Sequence, residues 1–394
     1  MKKGIIISGI FLAAFAFSAS AQKKPNTQEK PQTKQATITP TDTSLVHKGI
    51  KSLSAGDYLA AIIAFNDAIA QDPKNAEAYY RRGLAEMELG DNESSIEDFS
   101  QSLDLNNKNV DALLKRGHAK GKIGDYKGAI EDFTQVIILD PKNTDALMSM
   151  GNSKYLLSDY PGAIADFTKA IETNMAQNFE AYYKRGLAKN EWGKFKDAIA
   201  DFTKVIEIYP KYNYAYFYRA YAKNNLQDFT GAIQDYSKVI QLDPLDKASY
   251  FNRGMCKFTQ NDYKGALADF SKAIEIDPKF EEAYFHRGET KSYMEDMKGA
   301  EADFNTVVQM FPRSKDAYLN RGLFYLDNGE SDKAVKDFNK GIELAANDKD
   351  LYYYRGLAKS AGGDESGACD DLHKAESMGQ REAAFEVKRL CKKR

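Results

Sequence analysis

The apolar positions along Val110–Asn143, VDALLKRGHAKGKIGDYKGAIEDFTQVIILDPKN, form two helix-length patterns on either side of Gly124-Asp125-Tyr126. That arrangement predicts two helices joined by a tight turn. Small residues hold the eighth place, Gly117, and the twentieth, Ala129, and a ring holds the twenty-fourth, Phe133. Pro141 at the thirty-second place ends the second helix, because proline cannot continue it. The two small places let the helices approach closely; a bulky side chain there would force them apart. The string returns from Asp42 onward, in copies starting at 42, 76, 110, 144, 179, 213, 247, 281, 315 and 349. The eighth place is Gly in nine copies and Ala220 in the other; the twenty-fourth is Phe in eight, with Tyr236 and Leu372 as departures. Each copy is expected to fold as helix A, a turn, helix B and a short loop.

Some copies are irregular. The fourth runs 35 residues, to Asn178, and ends in Thr173-Asn174-Met175-Ala176-Gln177-Asn178, so the stacking is expected to shift there. The ninth lacks the proline. The tenth runs through Met378-Gly379-Gln380 into a last segment whose Ala383, Ala384, Val387, Leu390 and Cys391 share one helical face. The end of a stack needs a polar outer face, and this segment reads as such a cap.

A period of 34 with these small and aromatic markers is the signature of tetratricopeptide repeats, and the chain resembles that family over almost all of its length after residue 41. The resemblance implies an all-α, right-handed superhelical solenoid of about ten helix-turn-helix repeats over 42–378, with a capping helix at 379–394. It also implies a concave groove lined by helix A at the second, fifth, ninth and twelfth places, which binds a protein or an extended peptide.

The N-terminus follows a different pattern. Lys2 and Lys3 precede an apolar run from Gly4 to Phe17, and Ala19-Ser20-Ala21 supplies small residues for cleavage. Residues 1–21 are expected to be a secretory signal peptide, too short to span a bilayer. Residues 22–41, rich in Lys, Gln, Thr and Pro, cannot bury enough surface to order and are expected to be a linker. The expected location is outside the cytosol, in the periplasm of a bacterium, with secretion or the cell surface as the alternatives. Formal charge is −2, or −4 without Lys2 and Lys3, which gives no pull toward nucleic acid.

Charge instead recurs inside the repeat. The seventh place is Arg in eight copies, among them Arg82, Arg116, Arg185 and Arg253. The twenty-third is Asp in nine, among them Asp98, Asp132, Asp201 and Asp269. The eleventh is Lys in seven. Two cations one helical turn apart need an anion beside them, so each Asp is expected to pair with the Arg of its own or a neighbouring repeat. The fourth copy keeps Asp166 but has Met150 at the seventh place, so Lys154 is expected to serve instead. A polyanion-binding stripe is the competing reading, which the matched aspartates would neutralise.

The groove places vary where the packing places do not, and aromatic residues concentrate in repeats five to eight. Polar-tipped aromatics are common interface anchors, so Tyr183, Phe217, Tyr221, Phe251, Phe258 and Phe285 are candidate partner-binding residues, with inter-helix packing as the alternative. The family's carboxylate clamp is not expected, because the fifth place holds no Lys. A carbohydrate-binding module stacking sugars on the same aromatics is the rival reading.

Nothing in the chain points to an enzyme or a cofactor. The phosphate loops, zinc-type Cys or His pairs and nucleophile elbows that carry such chemistry are missing. His47, His118, His286 and His373 fall in separate repeats, and no metal site is expected. Cys256 sits at a small packing place and reads as an inert thiol. A hairpin turning near Met378 would bring Cys369 and Cys391 together, and export would let them form a disulfide; two reduced thiols are the alternative.

Overall fold

The computed structural model describes residues 43–173 and 179–391. The expected signal peptide and linker lie outside the described residues, as do Asn174–Asn178 and the last three residues of the cap. The described residues form 21 helices and no strand. Twenty pair into ten hairpins and the last, Arg381–Leu390, closes the end. The array from Leu45 onward is one compact unit, an all-α solenoid.

Local chemistry sets the helix ends. In most repeats an Asp at the sixteenth place caps helix B: Asp57, Asp91, Asp125, Asp228, Asp262, Asp296 and Asp364 each accept a hydrogen bond from the backbone N–H three residues on. The residue before each cap takes a left-handed backbone. Six are glycine, whereas Ser158, Gln227, Asn261 and Glu295 bear side chains at φ 61 to 65°.

Between the paired helices lies the wedge ring of the twenty-fourth place. Phe65, Phe99, Phe133, Phe167, Phe202, Phe270 and Phe338 are essentially sealed from solvent. A Cβ built on Gly117 or Gly322 would stand 2.6 Å from the Phe133 or Phe338 ring, which is why the eighth place is glycine. Neighbouring hairpins pack through A on the preceding B, and their A helices also meet directly, repeat two with three, three with four, four with five and five with six. No two B helices approach to that extent among the described residues. An array whose A helices crowd together while its B helices spread apart curves toward the A side, so helix A forms the inner wall.

Candidate functional site

The seam between A and B helices carries the ion pairs. Arg82 donates through Nε and Nη2 to Asp98, both at 2.6 Å, and Arg116 to Asp132 at 3.0 and 2.7 Å. Arg185 does the same to Asp201 at 2.9 and 2.7 Å, and Arg253 to Asp269 at 2.9 and 2.6 Å. Every such pair lies within one repeat, the aspartates are buried, and the fork-on-fork geometry is the strongest form of this contact. Where the eleventh place is Lys, its ammonium closes on the second carboxylate oxygen, as Lys223 does on Asp235 at 2.7 Å.

The remaining arginine nitrogen does something the spacing of charges alone did not suggest. It reaches back to the preceding repeat: Arg116 to Ser100 and Arg185 to Thr168 at 3.0 Å, Arg253 to Ser237 at 2.9 Å, Arg321 to Asn305 at 2.9 Å. These acceptors all hold the twenty-fifth place, which is Ser, Thr or Asn in nine copies. The guanidinium also lies over a tyrosine at the fourth place, for instance Arg219 over Tyr216 at 5.6 Å and Arg287 over Tyr284 at 5.2 Å. One side chain thus joins helix A, helix B and the previous hairpin.

Among the joints that depart from this rule, two hold carboxyls shifted by burial. In repeat four, Met150 fills the seventh place, and Lys154 stands 2.7 Å from Asp166 but outside the direction of a hydrogen bond to that buried oxygen. Burial pushes the Asp166 carboxyl above the usual aspartate range, with Lys154 pulling the other way. In repeat two the eleventh place is Glu86, and burial together with the neighbouring Asp98 charge pushes its carboxyl up to about 7.

The inner wall holds the aromatic candidates, and it assigns several of them to packing. Phe251 is only 7% exposed and lies against Phe270, Phe280 and His286; it is a core residue rather than a contact surface, because Phe280 from the next loop covers it. The fifth place generally leans on the wedge ring. Tyr183 meets Phe202, Phe217 meets Tyr236 edge-on at 5.5 Å, and Phe285 meets Phe304 at 5.9 Å. All three remain half-buried, and burial raises the Tyr183 phenol far above its ordinary range. The ninth and twelfth places are less committed to the core: Tyr221 lies against Phe195 at 6.4 Å, and Phe258 against Tyr263 and Tyr293.

At the C-terminal end, Cys369 and Cys391 are joined, with Cα atoms 5.7 Å apart, tying the last hairpin to the cap helix. Cys256 is buried, donates its thiol to the Asn224 side chain, and is pushed up to about 12 by burial. No cluster of three metal-ligating side chains occurs among the described residues, and no described helix is long and apolar enough to cross a membrane.

These hairpins, their glycine-ring wedge and their shared inner wall define an α-solenoid built for interaction. Family profiles of the tetratricopeptide repeat match residues 49–110, 114–174, 179–212, 214–245, 248–280 and 315–348, together well over half of the chain. The chain belongs to the tetratricopeptide repeat family, whose members are generally non-enzymatic scaffolds for protein–protein interaction. Among solved structures, a tetratricopeptide repeat protein from Parabacteroides merdae ATCC 43184 is similar at 23% identity, over 63% of this chain and 98% of that one, with a TM-score of 0.51; it shares the fold. MamA matches at 27% identity over 44% and 94%, with a TM-score of 0.42. YrrB, described as having an unusual peptide-binding site, matches at 20% over 48% and 96%, with a TM-score of 0.43. No curated protein matches the chain.

Proposed function

We propose that the chain is an exported scaffold that holds an extended segment of another protein along its helix-A wall. The observation that carries this reading is the crowding of the A helices from repeat two to repeat six, which turns their half-buried side chains into one inner surface there. Ladder charges are spent at the seam between helices, so they neither fill that surface nor repel a guest. Variable places nine and twelve, with Tyr155, Tyr221, Asn224 and Phe258, supply the contacts that distinguish one guest from another.

The apolar leader at residues 4–17 supports export, and so does the Cys369–Cys391 bridge, since such bonds persist where the surroundings are oxidising. The test is affinity capture from the native periplasm with the unaltered chain, with a Tyr221→Ala/Phe258→Ala variant, and with the outer-face change Lys336→Ala. The inner-wall variant should lose captured proteins while its helical circular dichroism holds, and Lys336→Ala should lose none. Equal capture by all three, or retention of glycans in place of proteins on an array, overturns the proposal.

A further inference from the structure

Helix B of repeat one, Tyr58–Gln71, differs from its nine counterparts on the outer side of the array. Its eighteenth and twenty-second places are Leu59 and Ile63, one turn apart and 66% and 62% exposed. No later copy puts a large aliphatic residue at either place: repeat two has Glu93 and Glu97, repeat three Lys127 and Glu131, repeat eight Lys298 and Ala302, all exposed. Asp67, a further turn along the same stripe, is exposed as well. The helix holds no Lys or Arg, and Asp57 and Asp72 stand at its two ends. Its outer face is thus apolar with an acidic border.

The cap helix at the other end, Arg381–Leu390, carries the complementary pattern. It turns Ala383 into the core and leaves Phe385 68% exposed. Arg381, one turn before that ring, and Lys388, one turn after it, are exposed on the same face. Arg389 is held by Glu386 at 2.7 Å, and Glu382 is the other carboxylate of the helix. The sequence continues with Lys392, Lys393 and Arg394. The Cys369–Cys391 bridge ties the helix to the last hairpin, so this face is presented in a fixed position. Phe385 between two cations fits Leu59 and Ile63 beside Asp67, because apolar surface leaves water on both sides while base meets acid. Within one chain eight hairpins separate the two helices, and they do not pack against each other. A cap that meets helix B of repeat one therefore belongs to another copy.

We propose that the cap helix of one copy docks on helix B of repeat one of the next, so that the chain assembles head to tail. The contact joins two different faces, and contacts of that kind build open rows or rings rather than twofold dimers. It uses the outer side of the array and leaves the helix-A wall to a guest, so assembly and guest binding are separable. A row of copies repeats that wall along its length. The contact is small, and its dissociation constant is expected between about 10 µM and 1 mM.

The test is sedimentation velocity of the purified full chain from about 1 µM to 1 mM. Three proteins are compared: the unaltered chain, Phe385→Glu, and Leu59→Lys/Ile63→Glu, which reproduces the Lys127 and Glu131 of repeat three. The unaltered chain should form a series of larger species as concentration rises, and should form fewer of them as salt rises. Each variant alone should associate about tenfold more weakly or not at all, with its helical circular dichroism unchanged. The two variants mixed should form dimers and nothing larger, because each keeps the face that the other has lost. Monomers of the unaltered chain throughout the range overturn the proposal. Association that survives either variant overturns it too, since a face would then be pairing with its own kind, and so does a mixture that stays monomeric. The guest reading rests on the inner wall and stands or falls separately.

Discussion

Repeats four and six build the same hairpin around the same buried aspartate and satisfy it in different ways. In repeat six, Asp235 receives Arg219 at 2.9 and 2.7 Å and Lys223 at 2.7 Å. Arg219 also reaches Thr203 of the preceding hairpin at 3.0 Å. In repeat four, Met150 occupies that space, Asp166 faces Lys154 alone, and Thr134 of the preceding hairpin, which like Thr203 bonds the carbonyl four residues back, meets only the Met150 sulfur at 3.7 Å. The difference separates two jobs that the arginine does together elsewhere. One is to compensate a buried charge, which a lysine can do in part. The other is to fasten one hairpin to the previous one, which Lys154 does not do and Met150 does only through the weak acceptor of its sulfur.

The sharpest way to break this comparison is to give repeat six the joint of repeat four. Arg219→Met leaves Asp235 with Lys223 alone and removes the tie to Thr203. It should cost about 3 kcal/mol, as loss of one partner of a buried pair does. Hydrogen exchange should place the loss in repeats five and six, because a stack of repeats opens locally. Loss confined to repeat six would mean that the arginine acts within its own repeat only.

The next largest effect concerns the wedge. Repeat four has Gly151 facing Phe167, whereas repeat six has Ala220 facing Tyr236. A Cβ on Gly151 would stand 2.7 Å from the Phe167 ring, so Gly151→Ala should cost about 2 kcal/mol in urea unfolding. In repeat six the backbone already accommodates that methyl, with both Ala220 and Tyr236 sealed in the core.

Much of this architecture was legible because it repeats. A glycine that recurs opposite a ring, and an aspartate 16 residues after an arginine, are each seen many times over, so chance is excluded by recurrence. The twenty-fifth place recurs as well, as Asn66, Ser100, Thr203 and Asn305, yet short polar residues on an outer helix look like ordinary solvated positions. Only the third arginine nitrogen gives that row a purpose. The inner wall was harder to read because it does not repeat. Phe217, Phe251 and Phe285 share one place, yet Phe251 alone is closed off, since the covering Phe280 comes from a loop whose composition changes between repeats.

The comparison is sharpened from the other side by restoring the missing arginine. Met150→Arg should give Asp166 a forked partner, reach Thr134, and stabilise the chain by about 1–2 kcal/mol at neutral pH. The pH dependence follows from the raised Asp166 pKa. As pH rises through the ordinary aspartate value of about 4, the unfolded chain releases this proton before the folded chain does, so the native protein loses stability over that interval. The variant removes that loss. Its advantage over the unaltered chain should therefore be small in acid and reach full size above the folded pKa. A gain that is constant with pH would mean that the new side chain acts by packing alone.

The smallest effect tests a feature the two repeats share. Ser158 and Gln227 both hold a left-handed backbone, at φ 61 and 63°, where six of the other repeats use glycine. Glycine relieves that conformation but adds freedom to the unfolded chain, so Ser158→Gly and Gln227→Gly should each stabilise by about 0.5–1 kcal/mol. The two gains should be equal and should add, because the turns lie far apart and share no partner. Equality would show that the turns answer alike to the same relief, which leaves the differences measured at Arg219 and Met150 to the seam. A larger gain at Ser158 would mean that the slack joint of repeat four extends to its turn, and that the arginine it lacks braces the whole hairpin elsewhere.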